Sequence, residues 1–142
     1  MITPQLAPWI ILFAPFVAAA LILLVARGSR IFSAGLAIGA TLLSCALSWY
    51  LYAQPDATEP NGFYWISFGE EFQVAMGVTV DHLSKVMALV VTNVASLVFI
   101  YSLGYMAKEE GYTRYFAGLS LFLFSMLGIV FADNFIMMFM FW

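Results

Sequence analysis

Three ionisable residues, Asp81, His82 and Lys85, open one long apolar stretch that then carries no charge until Lys108. Asp81 and Lys85 stand four apart, so on a helix they share a face and can pair as ions. Two roles fit this spacing. One is the outer end of a proton path, because ionisable groups in apolar spans mark such paths. The other is structural, with Asp81 favouring a helix N-terminus and Lys85 extending its ammonium outward to the surface. His82 is a candidate proton shuttle, as histidine is the side chain suited to that role, and a lone histidine at a helix start also fits an interfacial position. Asp133 stands between two apolar runs and beside Asn134. Either residue would cap a following helix, and Asp133 is also a candidate proton exit.

Other chemistries are excluded or weakly supported. One cysteine and one histidine cannot supply an internal disulfide, a thiolate zinc cage, an iron–sulfur cluster or a haem-ligating pair. Cys45 has Ser44 and Ser48 nearby but no neighbouring cation to stabilise a thiolate, so it reads as a small hydrophobe. No phosphate-binding glycine loop, nucleophile elbow or metal-ligand pair occurs. The residues supply no catalytic, cofactor-binding or metal site. The mid-stretch Thr92, Asn93 and Ser96 are expected to hydrogen-bond between helices.

The elements that must position these groups follow from composition. The sequence has 142 residues, 64% hydrophobic and 9% charged, with mean hydropathy +0.98. A soluble domain carries roughly 25% charged residues, so the chain reads as an all-α integral membrane protein. Its net charge of −3 excludes a basic nucleic-acid surface and a polybasic grip on anionic lipid.

A span needs about 20 apolar residues, and four segments qualify: 9–26, 31–52, 80–106 and 115–132. The first contains Pro15, which neighbouring helices can shelter in a membrane. Its cations Arg27 and Arg30 follow the apolar run rather than precede it, so the segment is expected to be a retained first span, with a signal peptide as the rival reading. The second holds Gly35 and Gly39 at G-x-x-x-G spacing, and the fourth repeats Gly118, Ser125 and Ala132 every seven residues with Gly128 alongside. Both patterns permit close helix approach. Between the second and third spans a turn-rich, acidic loop (Asp56, Glu59, Glu70, Glu71) surrounds the alternating Phe72, Val74 and Met76. A short β-hairpin turning near Gly69 is expected there. The run 135–142 begins a fifth helix. Eight helical residues cover about 12 Å, so the sequence is expected to be a fragment continuing beyond Trp142.

If all four spans cross, Arg27/Arg30 and Lys108/Arg114 share one side, which the positive-inside rule makes cytoplasmic. The N-terminus, the hairpin and Asp133 then lie outside. Trp9, Trp49, Tyr50, Tyr52, Tyr64 and Trp65 would belt the outer interface, and Tyr105, Tyr112 and Tyr115 the inner one.

A family resemblance emerges from the ordered set Val80-Asp81-His82-Leu83-Ser84, Tyr101-Ser102-Leu103-Gly104-Tyr105-Met106, Tyr112-Thr113-Arg114-Tyr115-Phe116, Leu121-Phe122, Ser125-Met126-Leu127, Ala132-Asp133-Asn134 and Phe141-Trp142. Together these resemble the N-terminal part of subunit L (chain 5) of proton-pumping NADH:quinone oxidoreductase, respiratory complex I. The likeness divides the sequence into 1–62, two spans and an outer loop matching in layout; 63–134, the homology region; and 135–142, the start of the helix leading into the antiporter-like domain. It implies proton transfer coupled to distant quinone reduction, with a key glutamate following the residue that matches Trp142. It also implies other membrane-arm subunits and the bilayer as partners, with NADH, flavin, iron–sulfur clusters and quinone held by partner subunits. One departure is Phe99, where many bacterial members carry a histidine. Cation/proton antiporters, membrane-bound hydrogenases and bicarbonate-accumulating complexes share much of the pattern and are the alternative reading. A complete four-span scaffold protein is a second alternative.

Overall fold

The computed structural model describes residues 6–25, 29–55, 61–68 and 72–142. Helices α1 (Ala7–Leu24), α2 (Arg30–Tyr52), α3 (His82–Tyr105) and α4 (Tyr112–Val130) are each long and apolar enough to cross a membrane, with mean hydropathies of 2.4, 1.8, 2.1 and 1.5. Strands β1 (Asn61–Phe68) and β2 (Phe72–Val78) lie between α2 and α3, and a short α5 (Phe135–Phe141) follows α4. The expected architecture is therefore present. The chain is an integral membrane protein.

Local chemistry sets the helix ends. A proline stands at the first turn of α1, where its missing N–H is no loss, and Pro15 is buried within the same helix. Ser29 caps α2 by accepting from the Phe32 amide at 3.4 Å. The structure starts α4 three residues earlier than hydropathy indicates, at Tyr112. Polar Thr113 and Arg114 in its first turn mask the helix to a hydropathy reading, although polar residues suit an exposed first turn.

The spans form a bundle in which α1 packs against α2 and α4, and α3 packs against α2 and α4. Arg30 Nη1 donates to Ala107 O at 3.1 Å, so the start of α2 and the α3–α4 loop share one end, here termed the cation end. The opposite, hairpin end gathers the close of α2, the β1–β2 pair and the α4–α5 turn. β1 and β2 pair antiparallel from Asn61↔Val78 to Phe68↔Phe72, with a break in register between Tyr64 and Ile66. An isolated hairpin is marginal. This one is anchored where Val78 bridges to Ala132 and the Thr79 amide donates to Phe131 O at 3.1 Å. The expected turn at Gly69, the acidic Asp56, Glu59, Glu70 and Glu71, and Arg27 lie outside the described residues, as do the side chains of Tyr64 and Trp65.

Several packing expectations are corrected. Among the described residues Thr92, Asn93 and Ser96 show no bond between helices. They donate to Ala88, Leu89 and Thr92 carbonyls on their own helix, because an i−4 carbonyl lies within reach of these short side chains. Gly35 and Gly39 meet no neighbour within 4 Å of an added Cβ and instead floor an open groove between α1 and α2. Of the seven-residue seam on α4, Gly118 is open, while neighbouring Gly128 is covered by the Phe141 ring of α5. Tyr112 is buried against Phe116, with ring centroids 4.9 Å apart, so it belongs to the core rather than to an interfacial belt. Tyr105 is exposed, and half-buried Tyr115 reaches Ser102 Oγ at 3.0 Å.

Candidate functional site

The ionisable residues singled out by sequence converge on the hairpin end, each through a different local device. Asp81 precedes α3 with extended backbone and forms a capping box. Its carboxylate accepts from the Ser84 amide at 2.8 Å, and its own amide donates to Ser84 Oγ at 2.9 Å. Two otherwise unpartnered amides at the helix start are thereby satisfied. The hydrogen bonds from Ser84 hold the Asp81 carboxyl below its ordinary range, because they favour the charged form.

Lys85 behaves differently from the outward-extending residue expected. It is 2% exposed, and its Nζ donates to Gln54 O at 2.7 Å. Gln54 lies just past the C-terminal cap of α2, Ala53. That helix end carries the negative pole of its dipole and spare carbonyls. The ammonium therefore turns inward to close the end of the neighbouring helix. His82 is exposed, with its ring centroid 6.2 Å from that of Tyr52.

Asp133 does not cap α5. That role falls to Asn134, whose Oδ1 accepts from the Met137 amide at 2.8 Å. Asp133 Oδ1 instead accepts from Thr79 Oγ1 at 2.9 Å, and a Cβ on Gly77 would come within 3.0 Å of its Oδ2. Thr79 is thus the junction. Its amide reaches Phe131, its hydroxyl reaches Asp133, and its carbonyl accepts from Ser84 Oγ at 3.2 Å. Through Thr79 and Ser84 the structure links Asp133 to Asp81, while Lys85 joins the same end of α3 to α2.

Thr79 and Gln54 were not singled out from sequence. The threonine sits two residues before a capping aspartate, a signal for the start of α3 alone. The Gln54–Lys85 contact spans 31 residues and leaves no local trace. Deeper in α3, Phe99 is buried against Phe116 of α4, with ring centroids 6.1 Å apart, so that point of the span is apolar. Among the described residues no cluster of three His, Cys, Asp or Glu side chains could hold a metal.

Comparison with known proteins matches residues 65–116 to a family described as NADH-Ubiquinone oxidoreductase (complex I), chain 5 N-terminus. The NAD(P)H-quinone oxidoreductase chain 5 of a Picosynechococcus species is 51% identical over 78 residues, covering 55% of this chain and 12% of that protein. The corresponding Synechocystis protein is 45% identical over 106 residues, 74% of this chain and 15% of its own length. The NADH-quinone oxidoreductase subunit L of Rhodobacter capsulatus is 36% identical over 129 residues, 84% of this chain and 17% of its own length. The chain spans less than a fifth of the length of these relatives. Over most of its length it resembles the N-terminal part of chain 5, or subunit L, of NAD(P)H- and NADH:quinone oxidoreductases.

Proposed function

We propose that this chain serves as the N-terminal part of a proton-translocating membrane-arm subunit of an NADH- or NAD(P)H:quinone oxidoreductase, in an assembly that couples quinone reduction to proton transfer. The observation that carries this reading is the match to subunit L of Rhodobacter capsulatus over 129 residues, 84% of this chain. Nicotinamide, flavin, iron–sulfur clusters and quinone belong, on this reading, to partner subunits, and this chain supplies membrane-embedded framework beside the other membrane-arm subunits.

The geometry favours a framework role for Asp81, Lys85 and Asp133 over a proton path. Each is engaged with a backbone or hydroxyl group that fixes an element: the start of α3, the end of α2 and the α4–α5 turn. The cation end, with Arg30, Lys108 and Arg114, faces the cytoplasm by the positive-inside rule, which leaves the N-terminus and hairpin outside an energy-transducing membrane such as the bacterial cytoplasmic membrane.

The test is a chimera in which this chain replaces the matching segment of Rhodobacter capsulatus subunit L. The expected result is an assembled complex whose inverted membrane vesicles take up protons on NADH addition. Assembly with quinone reduction but no proton uptake refutes the reading. Cysteines placed at Glu59 or Glu70 should react with an impermeant thiol reagent from outside intact cells, and one at Lys108 should not. The reverse pattern overturns the orientation.

A further inference from the structure

Pro15 lies midway along α1 and is buried there. It has no amide proton, so the carbonyl of Ile11, four residues back, loses the donor that any other residue would supply. Ile11 is fully buried, and an unmet carbonyl in an apolar interior is costly. The neighbouring helix meets it. Ser44 Oγ of α2 donates to Ile11 O at 3.1 Å, from a position as fully buried as its partner.

That bond departs from the habit of its own helix. Ser33, Thr41 and Ser48 of α2 each donate to the carbonyl four residues earlier, at Ser29, Ala37 and Ser44. The same back-bond is open to Ser44 at Ala40 O, one turn behind it. Ser44 is thus a single donor with two acceptors, and Pro15 has deprived one of them of its amide. Against α4, the Phe124 ring rests on Phe13 and Phe16, one on either side of Pro15, with centroids 5.9 and 4.9 Å away. Ring contacts of this kind can roll without losing a hydrogen bond, whereas the Ser44 bond is either made or broken. We propose that Pro15 and Ser44 form a latched hinge in α1. With Ser44 on Ile11 O, residues 7–14 are held against α2. With Ser44 turned to Ala40 O, that segment pivots about Pro15 while the rest of α1 stays packed. The latched state dominates, because release leaves the Ile11 carbonyl unmet.

The experiment uses the whole chain with Cys45→Ala in phosphatidylcholine vesicles, carrying pairs of spin-labelled cysteines for dipolar distance measurement. Leu6→Cys with Leu83→Cys reads the hinged end of α1 against the start of α3. Leu24→Cys with Tyr105→Cys reads the opposite ends of the same two helices, and all four positions are exposed. Ser44→Ala should raise the population at displaced Leu6–Leu83 distances by about 3- to 30-fold, the worth of one hydrogen bond between membrane helices. The Leu24–Tyr105 distribution should not change. Pro15→Ala returns an amide to Ile11 O, so adding Ser44→Ala to it should leave the Leu6–Leu83 distribution as in Pro15→Ala alone. An unchanged Leu6–Leu83 distribution in Ser44→Ala overturns the proposal. Equal broadening of both pairs also overturns it, because that marks a general loosening of the bundle. So does broadening by Ser44→Ala that persists beside Pro15→Ala, which would make Ser44 a packing residue with no tie to the freed carbonyl. None of these outcomes depends on proton uptake by the chimera, so the two readings fail separately.

Discussion

Replacing Lys85 by methionine tests whether the buried ammonium holds the α2–α3 pair together. Methionine keeps the length and apolar stem of the side chain but removes the donor that lies 2.7 Å from Gln54 O. A hydrogen bond to a charged group contributes about 1.5–3 kcal/mol, and a carbonyl left without its donor costs about 1–3 kcal/mol. Gln54 is half-buried, so water recovers part of that loss, while removing the charge also lifts its own desolvation cost. The expected net destabilisation is about 1–2 kcal/mol. It should be read from denaturant unfolding of the chain in mixed micelles, with Lys85→Arg falling between parent and methionine variant. A local readout separates this clamp from a general packing effect. A cysteine at Ala53 should react faster with a thiol reagent in the Lys85→Met background, because the end of α2 frays when its clamp is lost. Unchanged or greater stability together with unchanged Ala53→Cys reactivity would refute the clamp.

Thr79→Val removes the hydroxyl that binds Asp133 and should cost about 0.5–1.5 kcal/mol in the same unfolding assay. Asp133→Asn keeps an acceptor oxygen and should stay within about 0.5 kcal/mol of the parent, and in the chimera it should leave proton uptake largely intact. The Asp81 carboxyl is lowered by its bonds from Ser84, so its contribution is complete above the ordinary carboxylate range and is lost as pH falls through the lowered value. Asp81→Asn should flatten that acid limb in a pH series of unfolding midpoints, whereas Asp81→Ala should cost about 1 kcal/mol at neutral pH. Gly128→Ala sets a methyl group against the Phe141 ring and should destabilise by about 1–3 kcal/mol. Phe141→Leu should relieve part of that loss when the two changes are combined.

What the sequence made legible was whatever local pattern controls. Spans follow from runs of apolar residues, and the capping aspartate and the alternation of β2 from neighbours a few positions apart. Small residues were a poorer guide. Gly35 and Gly39 allow a close approach without specifying one, and this chain leaves them in an open groove. The partners of Lys85 and Asp133 were hidden for a different reason. Both contacts join residues far apart in sequence, Lys85 to a main-chain carbonyl whose residue type is irrelevant and Asp133 to a threonine 54 positions away. Charge alone placed both side chains at the membrane surface; Asp133 stays exposed there, while tertiary contact turns Lys85 inward.

The back-bonded hydroxyls have a mechanical consequence. Thr41, Ser48, Thr92, Ser96 and Ser120 all direct their protons along their own helices, whereas Ser44 reaches across to Ile11 O. Among the described residues the spans therefore bear on one another at mid-depth through largely smooth flanks, with few pins to resist a small axial slip. The fasteners cluster at the two rims: Lys85 with Gln54 and Thr79 with Asp133 at one, Arg30 with Ala107 and Ser102 with Tyr115 at the other. Such a bundle resists splaying at its ends yet offers little friction to shear along its waist.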